Sequence, residues 1–472
     1  MPGLAPHRIT AFNGPWPLFD AARSRAIEQA ALAGVAPGAL MERAGLAVAR
    51  LGRALAPHAR QAVVWVGPGN NGGDGLIAAR HLGRLGLSVT VRRPGDGITA
   101  PPELGDDDLL IDALLGLGAV RAPAGAMADA IEAINRSQAL VLAVDLPSGL
   151  HPDHGQPLGA SSVRAEHTLQ LLTLKPGAFT AQGRDHAGIC WFDALQVEDH
   201  ASPTAWLSGP AARHLRPHGS HTGGYGDVAV IGGAPGMAGA AWLAGGAALA
   251  AGAGRVYCSL LDTTSAPPRT ELMTRGQWWS EPPAALQATT VACGCGGGDA
   301  VRETLPPLLA HAGRLVLDAD ALNAIAADAA LRSQLARRSR PTLLTPHPLE
   351  AARLLQRTTA EVQADRLDAA QALADTFTCA VLLKGSGTVL ASPGRTPVIN
   401  SSGNAALATA GSGDVLAGWA AGLWAQEPGT DAQTLAVRAA WQHGAAADAY
   451  AALLPGRPLR AAALIEALAA LR

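Results

Sequence analysis

Residues 62–75, AVVWVGPGNNGGDG, place an apolar stretch directly before a glycine-rich turn. The stretch 62–67 has the length and β-branched content of a buried strand, and residues 73–85 have the pattern of a helix. Glycine lets the backbone approach a phosphate closely, and the free N–H groups at a helix N-terminus bind anions. This segment therefore predicts a strand, a turn and a helix, with a ligand site at the carboxyl end of the strand.

The same alternation continues through the first half of the chain. Strands are predicted at 88–92, 109–116 and 139–147, and a helix at 127–135. Short apolar strands that alternate with helices indicate βαβ units and a mainly parallel sheet. The polar stretch 195–224, rich in Pro, His, Ser and Gly, predicts a connection between domains.

The second half repeats this alternation. Its predicted strands share short, apolar sequences: 228–232, 256–260, 315–318, 342–345 and 380–383. A small-residue helix from 236 to 253 would stop at Gly254. Thr358 and Glu361 have capping-box spacing before a helix, and another helix is predicted at 415–424. We therefore predict an α/β protein of two domains, 1–207 and 208–472.

The overall composition excludes several classes of function. A net charge of −2 gives no electrostatic basis for binding nucleic acid or an anionic membrane. Residues 1–20 lack the apolar core of a secretory signal, and no long apolar span stands out. Five cysteines without C-x-x-C spacing favour a reducing compartment, and Cys293 and Cys295 alone are weak evidence for a metal site. We expect a cytoplasmic protein that contacts neither membrane nor nucleic acid.

Polar residues follow several strands of the first half. Asn71 lies in the glycine-rich turn, Asp112 lies within an apolar strand, and Asp145 and Ser148 follow the next one. A carboxylate in an apolar strand is costly unless it is paired or binds a cation, although each Asp could instead cap a turn. Asn71, Asp112 and Ser148 offer only hard oxygens, which suit an alkali or alkaline-earth cation.

The second half carries a comparable set. Residues 411–414, GSGD, open a helix and predict an anion hole, beside which Asp414 would act as a general base. Lys384 follows an apolar strand and is one of only two lysines in the chain, with Lys175. The alternatives are an ordinary helix N-terminus and a surface lysine. Further candidates are Asp318, Asp320, His347 and the turn 294–298.

The motifs of the first half resemble the NAD(P)H-hydrate epimerase family, over about residues 20–200. They are GPGNNGGDG (67–75), IDALLG (111–116), VDLPSGL (144–150) and LLTLKPG (171–177). The resemblance implies a Rossmann-like domain that holds potassium on Asn71, Asp112 and Ser148. It makes Asp145 the acid/base group, with Lys175 in support. Substrate contacts carried over besides Asp145 are Asn70, Asn71, Gly72, Gly73, Asp74, Gly116, Leu117, Gly118, Ala119, Val120, Arg121 and Ala122. Leu117 departs from the family, which usually has Thr there.

The motifs of the second half resemble the NAD(P)H-hydrate dehydratase family, over about residues 215–472. They are VIGG (230–233), AGAA (238–241), CGCGGG (293–298), VLDADALN (316–323), LLTPHP (343–348), LLKG (382–385), SGN (402–404) and LATAGSGDVLAG (407–418). The resemblance implies a ribokinase-like fold that uses ADP, less often ATP, with Mg²⁺. Departures are 221–226 (HTGGYG) where the family has a Lys-Gly pair, Leu349 in TPHPLE, and GCGGG at 294–298 in place of GPGLG.

Residue roles in the second half follow from the same resemblance. Asp414 would take the proton of the substrate hydroxyl. The transferring phosphoryl group would be held by Gly411, Ser412 and Gly413. The adenine nucleotide would be lined by Lys384, Gly385, Ser386, Gly387 and Thr388. The hydrated cofactor would contact Ala240, Gly296 and His347.

The two resemblances together imply repair of the hydrated cofactors NADHX and NADPHX by an epimerase fused to a dehydratase. Family analogy also implies a homo-oligomer. Two alternatives stay open: a small-molecule kinase of the ribokinase-like fold fused to a ligand-binding domain, and a catalytically inactive nucleotide sensor. Asp145, Lys384 and Asp414 favour an enzyme, because a sensor has no need of acid/base groups.

Overall fold

The computed structural model describes residues 6–96, 104–198, 201–211, 216–262 and 266–471. By contacts the chain forms two compact units, Met1–Leu207 and Ser208–Arg472. Among the helices of the described residues, none combines the length and apolar character needed to cross a membrane.

The first unit contains nine strands and five α-helices among its described residues. The strands are β1 His7–Arg8, β2 Trp16–Leu18, β3 Gln61–Val66, β4 Ser88–Arg92, β5 Leu109–Ala113, β6 Leu140–Val144, β7 His167–Leu171, β8 Ile189–Asp193 and β9 Ala205–Leu207. The helices are α1 Ala21–Ala33, α2 Ala39–Leu55, α3 Asn70–Arg84, α4 Ala126–Asn135 and α5 Gly183–Ala187.

Seven of these strands form one sheet in the order β1-β8-β7-β6-β5-β3-β4, parallel except for β1. Strands β2 and β9 pair antiparallel. Helices α2 and α3 cover one face of the sheet and α4 covers the other, which gives three layers. Because β4 and β5 lie on opposite sides of β3, the chain reverses direction there and opens a crevice at the carboxyl ends of β3 and β5.

Three predictions in this unit need correction, and the first is the strand at 109–116, which ends at Ala113. Helix α3 begins at Asn70 and not at residue 73, so the polar residues of the turn lie on the helix itself. The tight path requires glycine, because a Cβ at Gly72 would lie 1.9 Å from the carbonyl oxygen of Gly67. The strand predicted at 139–147 ends at Val144, because Asp145 has φ 65°, a left-handed conformation that no strand accommodates. The strand at 88–92 is confirmed.

The second unit contains nine strands and eleven α-helices among its described residues. The strands are β10 Asp227–Gly232, β11 Arg255–Leu260, β12 Met273–Thr274, β13 Thr290–Cys293, β14 Arg314–Leu317, β15 Thr342–Leu344, β16 Ala380–Leu383, β17 Val389–Ala391 and β18 Val398–Ile399. The helices are α6 Ala238–Ala251, α7 Pro283–Ala288, α8 Leu305–His311, α9 Ala319–Ala327, α10 Ala329–Ala336, α11 Pro348–Leu355, α12 Thr359–Ala364, α13 Arg366–Phe377, α14 Ser412–Gln426, α15 Ala432–Leu453 and α16 Ala461–Ala470.

The sheet of this unit runs in the order β12-β11-β10-β13-β14-β15-β16-β17-β18. From β12 to β16 in this order, each strand is parallel to its neighbours. Strand β17 runs antiparallel to both β16 and β18. Helices α6, α14, α15 and α16 bury one face, and α8 to α11 with α13 bury the other. The unit therefore has the three layers that its family resemblance implies.

Small residues let α6 and α14 pack closely. A Cβ at Gly418 would lie 2.0 Å from the carbonyl oxygen of Ala244. The buried small-residue helix is confirmed, but it stops at Gly252, in a left-handed conformation, and not at Gly254. The capping box of Thr358 and Glu361 is confirmed. Helix α14 begins at Ser412, three residues earlier than predicted, which places Asp414 in its first turn.

Candidate active sites

A cavity of about 690 Å³ lies at the carboxyl edge of the first unit's sheet. Its walls come from α1, α2, the start of α3, the turn 114–119, and the segments that follow β6 and β7. These are the chain segments at the reversal between β3 and β5, where open parallel sheets bind ligands. The sequence prediction placed the first unit's site at this edge.

An ion pair lies in the wall of this cavity. The Nζ of Lys175 donates to Oδ1 of Asp145 and, at 2.9 Å each, to the carbonyl oxygens of Leu171 and Thr173. An ammonium group has three N–H donors, so all of them are used. Oδ2 of Asp145 accepts no hydrogen bond from any described residue. The pair therefore holds one oxygen of Asp145 and leaves the other for a ligand.

A second carboxyl group in the cavity has the opposite character. Asp74, on α3, makes no hydrogen bond through its side chain within the described residues. Burial, with the nearby charges of Asp145 and Glu28, raises the pKa of Asp74 to about 8. The cavity thus contains an ion-paired Asp145 and an Asp74 that is neutral at pH 7, an arrangement typical of sites that separate the roles of base and acid.

The three residues predicted to bind a cation surround one turn, 114–116. Asp112 is fully buried and accepts hydrogen bonds from Ser148 Oγ at 2.6 Å and Ser148 N at 2.8 Å. Burial raises its pKa to about 6, and the hydrogen bonds from Ser148 oppose that rise. Asn71 packs against Gly116, and neither polar atom of its buried amide has a hydrogen-bond partner in the described part of the chain. A buried amide without a partner and a buried carboxylate both supply oxygen atoms that could bind a cation.

Most predicted contacts of the first unit do meet at the cavity. Its lining includes Asn70, Asn71, Asp74, Gly116, Leu117, Gly118, Ala119, Asp145 and Lys175. Gly72 and Gly73 lie in the first turns of α3 behind it. Val120, Arg121 and Ala122 do not line it, and Val120 is 68% exposed.

Sequence reasoning missed the contribution of α1. Ser24, Arg25 and Glu28 line the cavity, and Arg25 Nη2 donates to the carbonyl oxygen of Leu117 at 3.2 Å. No motif marks these residues. The only local signal was Asp20, whose side chain caps α1, and it predicts a helix and not a site.

In the second unit, the other lysine also forms an ion pair, which is partly buried. Lys384 Nζ lies 2.6 Å from Asp318 Oδ1 and 4.0 Å from Glu350 Oε2. Asp318 also accepts from Thr345 Oγ1 at 2.8 Å. Burial alone would lower the pKa of Lys384, but the charges of Asp318 and Glu350 raise it above its ordinary value. Burial raises the pKa of Glu350 to about 7.

The N-terminus of α14 lies against this pair. A Cβ on Gly413 would lie 3.3 Å from Lys384 Nζ and 3.8 Å from Asp318 Oδ2. Burial, with the charge of Asp318, raises the pKa of Asp414 to about 6, while a hydrogen bond from Cys295 and the charge of Lys384 lower it. Ser412 N donates to the carbonyl oxygen of Thr409 at 3.3 Å. The N–H groups of Gly411 and Gly413 thus lie with an ammonium and a carboxylate of raised pKa, which suits transfer of a phosphoryl group to a hydroxyl.

The turn after β16 is held from within the protein. The buried Arg366 donates to the carbonyl oxygens of Leu383 and Lys384 at 3.1 Å each. Gly385 has φ 141°, and Thr388 Oγ1 donates to the carbonyl oxygen of Gly385 at 3.1 Å. The predicted nucleotide segment 384–388 is therefore a fixed turn directly beside α14. Sequence reasoning missed Arg366 and Glu350, because neither follows a strand.

His347 has a structural role in this geometry. Its Nδ1 accepts the backbone N–H groups of Leu349 and Glu350, which makes it the N-cap of α11. Burial, together with the charge of Lys384, lowers its pKa. The side chain is nevertheless 45% exposed. Ala240 and Gly296 are neighbours at the chain reversal between β10 and β13, since a Cβ on Gly296 would lie 2.9 Å from that of Ala240.

The sulfurs of Cys293 and Cys295 do not share a site. Cys293 packs in the core beneath α8 and α9, with its Sγ 3.6 Å from Thr304 Oγ1. The Sγ of Cys295 and carboxylate oxygens of Asp318 and Asp414 lie within 4.8 Å of one another. Since Lys384 already neutralises Asp318, we read this group as a network of proton donors and acceptors.

The fold and the two sites define a two-domain α/β enzyme of the class that binds nucleotides. A family model described as NAD(P)H-hydrate dehydratase matches residues 228–467, and one described as YjeF-related protein N-terminus matches 37–106 and 97–177. The chain belongs to the family of bifunctional NAD(P)H-hydrate repair enzymes. This confirms the family that the sequence motifs indicated.

Individual relatives are similar over most of their length. The bifunctional NAD(P)H-hydrate repair enzyme Nnr of Escherichia coli is 33% identical, over 91% of this chain and 88% of that protein. The corresponding enzyme of Moorella thermoacetica is 36% identical, over 90% and 91%. A crystal structure of the ADP/ATP-dependent NAD(P)H-hydrate dehydratase of Bacillus subtilis with ATP/Mg²⁺ is 29% identical, with TM-score 0.46, over 54% of this chain and 91% of that one.

Proposed function

We propose that the first unit interconverts the two epimers of hydrated NAD(P)H, and that the second unit uses ADP to remove water from one epimer. The observation that carries the proposal is that each unit has an ion-paired lysine and a carboxylate at the carboxyl edge of its sheet. Asp145 with Lys175 lines the cavity of the first unit, and Asp414 lies by Lys384 in the second.

Epimerisation needs proton transfers at a carbon that bears both a hydroxyl group and the ring nitrogen. An acid donates a proton to the hydroxyl oxygen, and water leaves as the nitrogen lone pair forms a C=N bond. Water then adds to the opposite face and gives a proton to a carboxylate. Passage of that proton through solvent back to the acid restores the enzyme, so nothing is consumed. Oδ2 of Asp145 is free to receive that proton, and the neutral Asp74 carboxyl is a donor in the same cavity. Lys175 keeps Oδ1 of Asp145 in place.

The residues around 114–116 fit a potassium ion in chemistry. Asn71 has an unpartnered amide oxygen, and Asp112 is a buried carboxylate without a lysine or arginine partner among the described residues. Asn71, Asp112 and Ser148 would hold the ion by hard oxygens. Such a cation would supply a positive charge beside the phosphates of the substrate.

We expect epimerase activity to require K⁺ and to fall when K⁺ is replaced by tetramethylammonium. Asn71→Ala should raise the K⁺ concentration for half-maximal activity by about 10- to 100-fold, because a ligand is lost. The stabilisation of the protein by K⁺ in thermal unfolding gives a readout independent of activity. The matched control is Asn70→Ala, because the amide of the neighbouring Asn70 has a partner and donates to Glu28 at 3.4 Å. Full activity in tetramethylammonium would rule out the ion.

We expect Asp74 to bind substrate as a neutral acid. The KM of the wild type for epimerisation should rise as pH increases through about 8, because the ionised carboxylate repels the phosphates of the substrate. Asp74→Asn, which is neutral but cannot supply the proton, should epimerise more slowly, and the KM of its residual activity should stay constant across this range. An Asn variant whose KM follows the same pH dependence as the wild type would show that another group titrates. Dehydration by the same protein is the internal control.

Dehydration follows from the second site. Asp414 removes the proton of the substrate hydroxyl while the hydroxyl oxygen attacks the β-phosphorus of ADP, and AMP leaves. The phosphate ester then departs as inorganic phosphate, driven by the ring nitrogen, and loss of a proton from the neighbouring carbon restores NAD(P)H. The N–H groups of Gly411 and Gly413, together with Lys384, would stabilise the charge that develops on the phosphoryl group. Mg²⁺ would arrive with the nucleotide phosphates, as is usual for this ion.

The test is recovery of NADH absorbance from a mixture of hydrate epimers, with ADP and with ATP. Complete recovery supports both activities, and recovery of one epimer alone supports only the second. No recovery with either nucleotide, but phosphorylation of a small alcohol, would instead favour the kinase alternative.

We also propose that the protein assembles as a homo-oligomer and is located in the cytoplasm. Five cysteines that are all buried and unbridged are compatible with a reducing compartment.

A further inference from the structure

One thiol lies at the centre of the second site. Cys295 follows β13 in the turn 294–298 and is 1% exposed. Its Sγ lies within 4.8 Å of carboxylate oxygens of both Asp318 and Asp414.

The backbone fixes where this thiol points. Gly233 N donates to the carbonyl oxygen of Cys295 at 3.0 Å, and Ala234 N donates to that of Gly296 at 2.7 Å. Both flanking residues, Gly294 and Gly296, have positive φ, at 122° and 58°. The turn is thus tied to the end of β10, and Cys295 has little freedom to move away from Asp414.

The two carboxylates differ in their partners. Asp318 receives the ammonium of Lys384 and the hydroxyl of Thr345. Asp414 forms no ion pair with a described residue, and the Sγ of Cys295 lies within 4.8 Å of its carboxylate. Burial and the nearby charges of Asp414 and Asp318 raise the pKa of Cys295 well above its ordinary value, so the sulfur keeps its proton and donates it.

We propose that Cys295 is a positioning residue for the dehydration reaction. Its S–H donates to one oxygen of Asp414 and directs the other oxygen to the substrate hydroxyl. This rests on the proposed function of the second unit. Without the thiol, the groups that face Asp414 would be the charged side chains of Asp318, Asp320 and Lys384.

We expect Cys295→Ala to lower kcat for dehydration about tenfold with little change in KM, since a weak donor to a charged acceptor is lost. The acid limb of the kcat profile should move to higher pH, because the hydrogen bond from Cys295 lowers the pKa of Asp414. Cys295→Ser keeps a donor and should restore both kcat and the profile. A purely structural role of Cys295 would not move the pH profile.

The experiment uses the full chain and compares these variants with Cys293→Ala. Cys293 is equally buried but faces Thr304, so its loss should leave the profile unchanged. The infrared S–H stretch of Cys295, identified by its absence in Cys295→Ala, should shift when Asp414→Asn is introduced. An unchanged profile in Cys295→Ala, or Cys295→Ser behaving like Cys295→Ala, would overturn the proposal. If the wild type does not dehydrate the substrate, the proposed function has failed, and the infrared shift alone decides whether the thiol binds Asp414.

Discussion

Asp414→Asn is expected to reduce dehydration by about 100- to 10,000-fold, the usual contribution of a positioned general base. The change keeps the shape of the side chain and the N-terminus of α14, so KM for ADP should change little. Recovery of NADH absorbance from the pure reactive epimer measures the loss.

The pH dependence of the wild type gives the same assignment a second test. Asp414 must be ionised to accept a proton, and its pKa is about 6. Dehydration should therefore increase as pH rises through about 6 and fall away below it. Epimerisation by the Asn variant is the internal control, because that site lies in the other unit. A variant that dehydrates at the wild-type rate would remove Asp414 from the mechanism.

Lys175→Met is expected to abolish epimerisation and to destabilise the first unit by about 3 kcal/mol, because the lost ammonium leaves Asp145 without a counter-ion. The estimate is at the low end for a buried pair, since the side chain of Asp145 remains 13% exposed. Urea unfolding followed by tryptophan fluorescence measures the loss of stability, and epimer composition measures the loss of activity.

Two further variants separate charge from packing. Adding Asp145→Asn to Lys175→Met removes the unpaired charge, so stability should largely return while epimerisation stays lost. Lys175→Arg should not rescue activity, because a planar guanidinium cannot direct its N–H groups to Asp145 and to the carbonyl oxygens of Leu171 and Thr173 together. Wild-type stability of Lys175→Met would show that the pair contributes nothing to folding.

The two lysines show how far sequence could lead. Their rarity beside 34 arginines (36 basic residues minus 2) marked Lys175 and Lys384 as candidates, and both form ion pairs, one buried and one partly buried. The ion-pair partners of the two lysines could not be predicted from local sequence. Asp145 is 30 residues from Lys175 and Asp318 is 66 from Lys384, and nothing local in either sequence joins them.

The sequence alone determined the α/β class and the elements that lead to each site, because strand and helix patterns and turn chemistry are local properties. Turn chemistry also predicted Asp414 as a base, and the role of Asp145 was predicted from the family resemblance. Tertiary structure decided that α1 lines the first cavity and that the sulfur of Cys295 lies within 4.8 Å of the Asp414 carboxylate. It also placed Val120 to Ala122 outside the cavity lining. It also decided the raised pKa values of Asp74 and Asp414, since desolvation depends on what packs around a group and not on its neighbours in the chain.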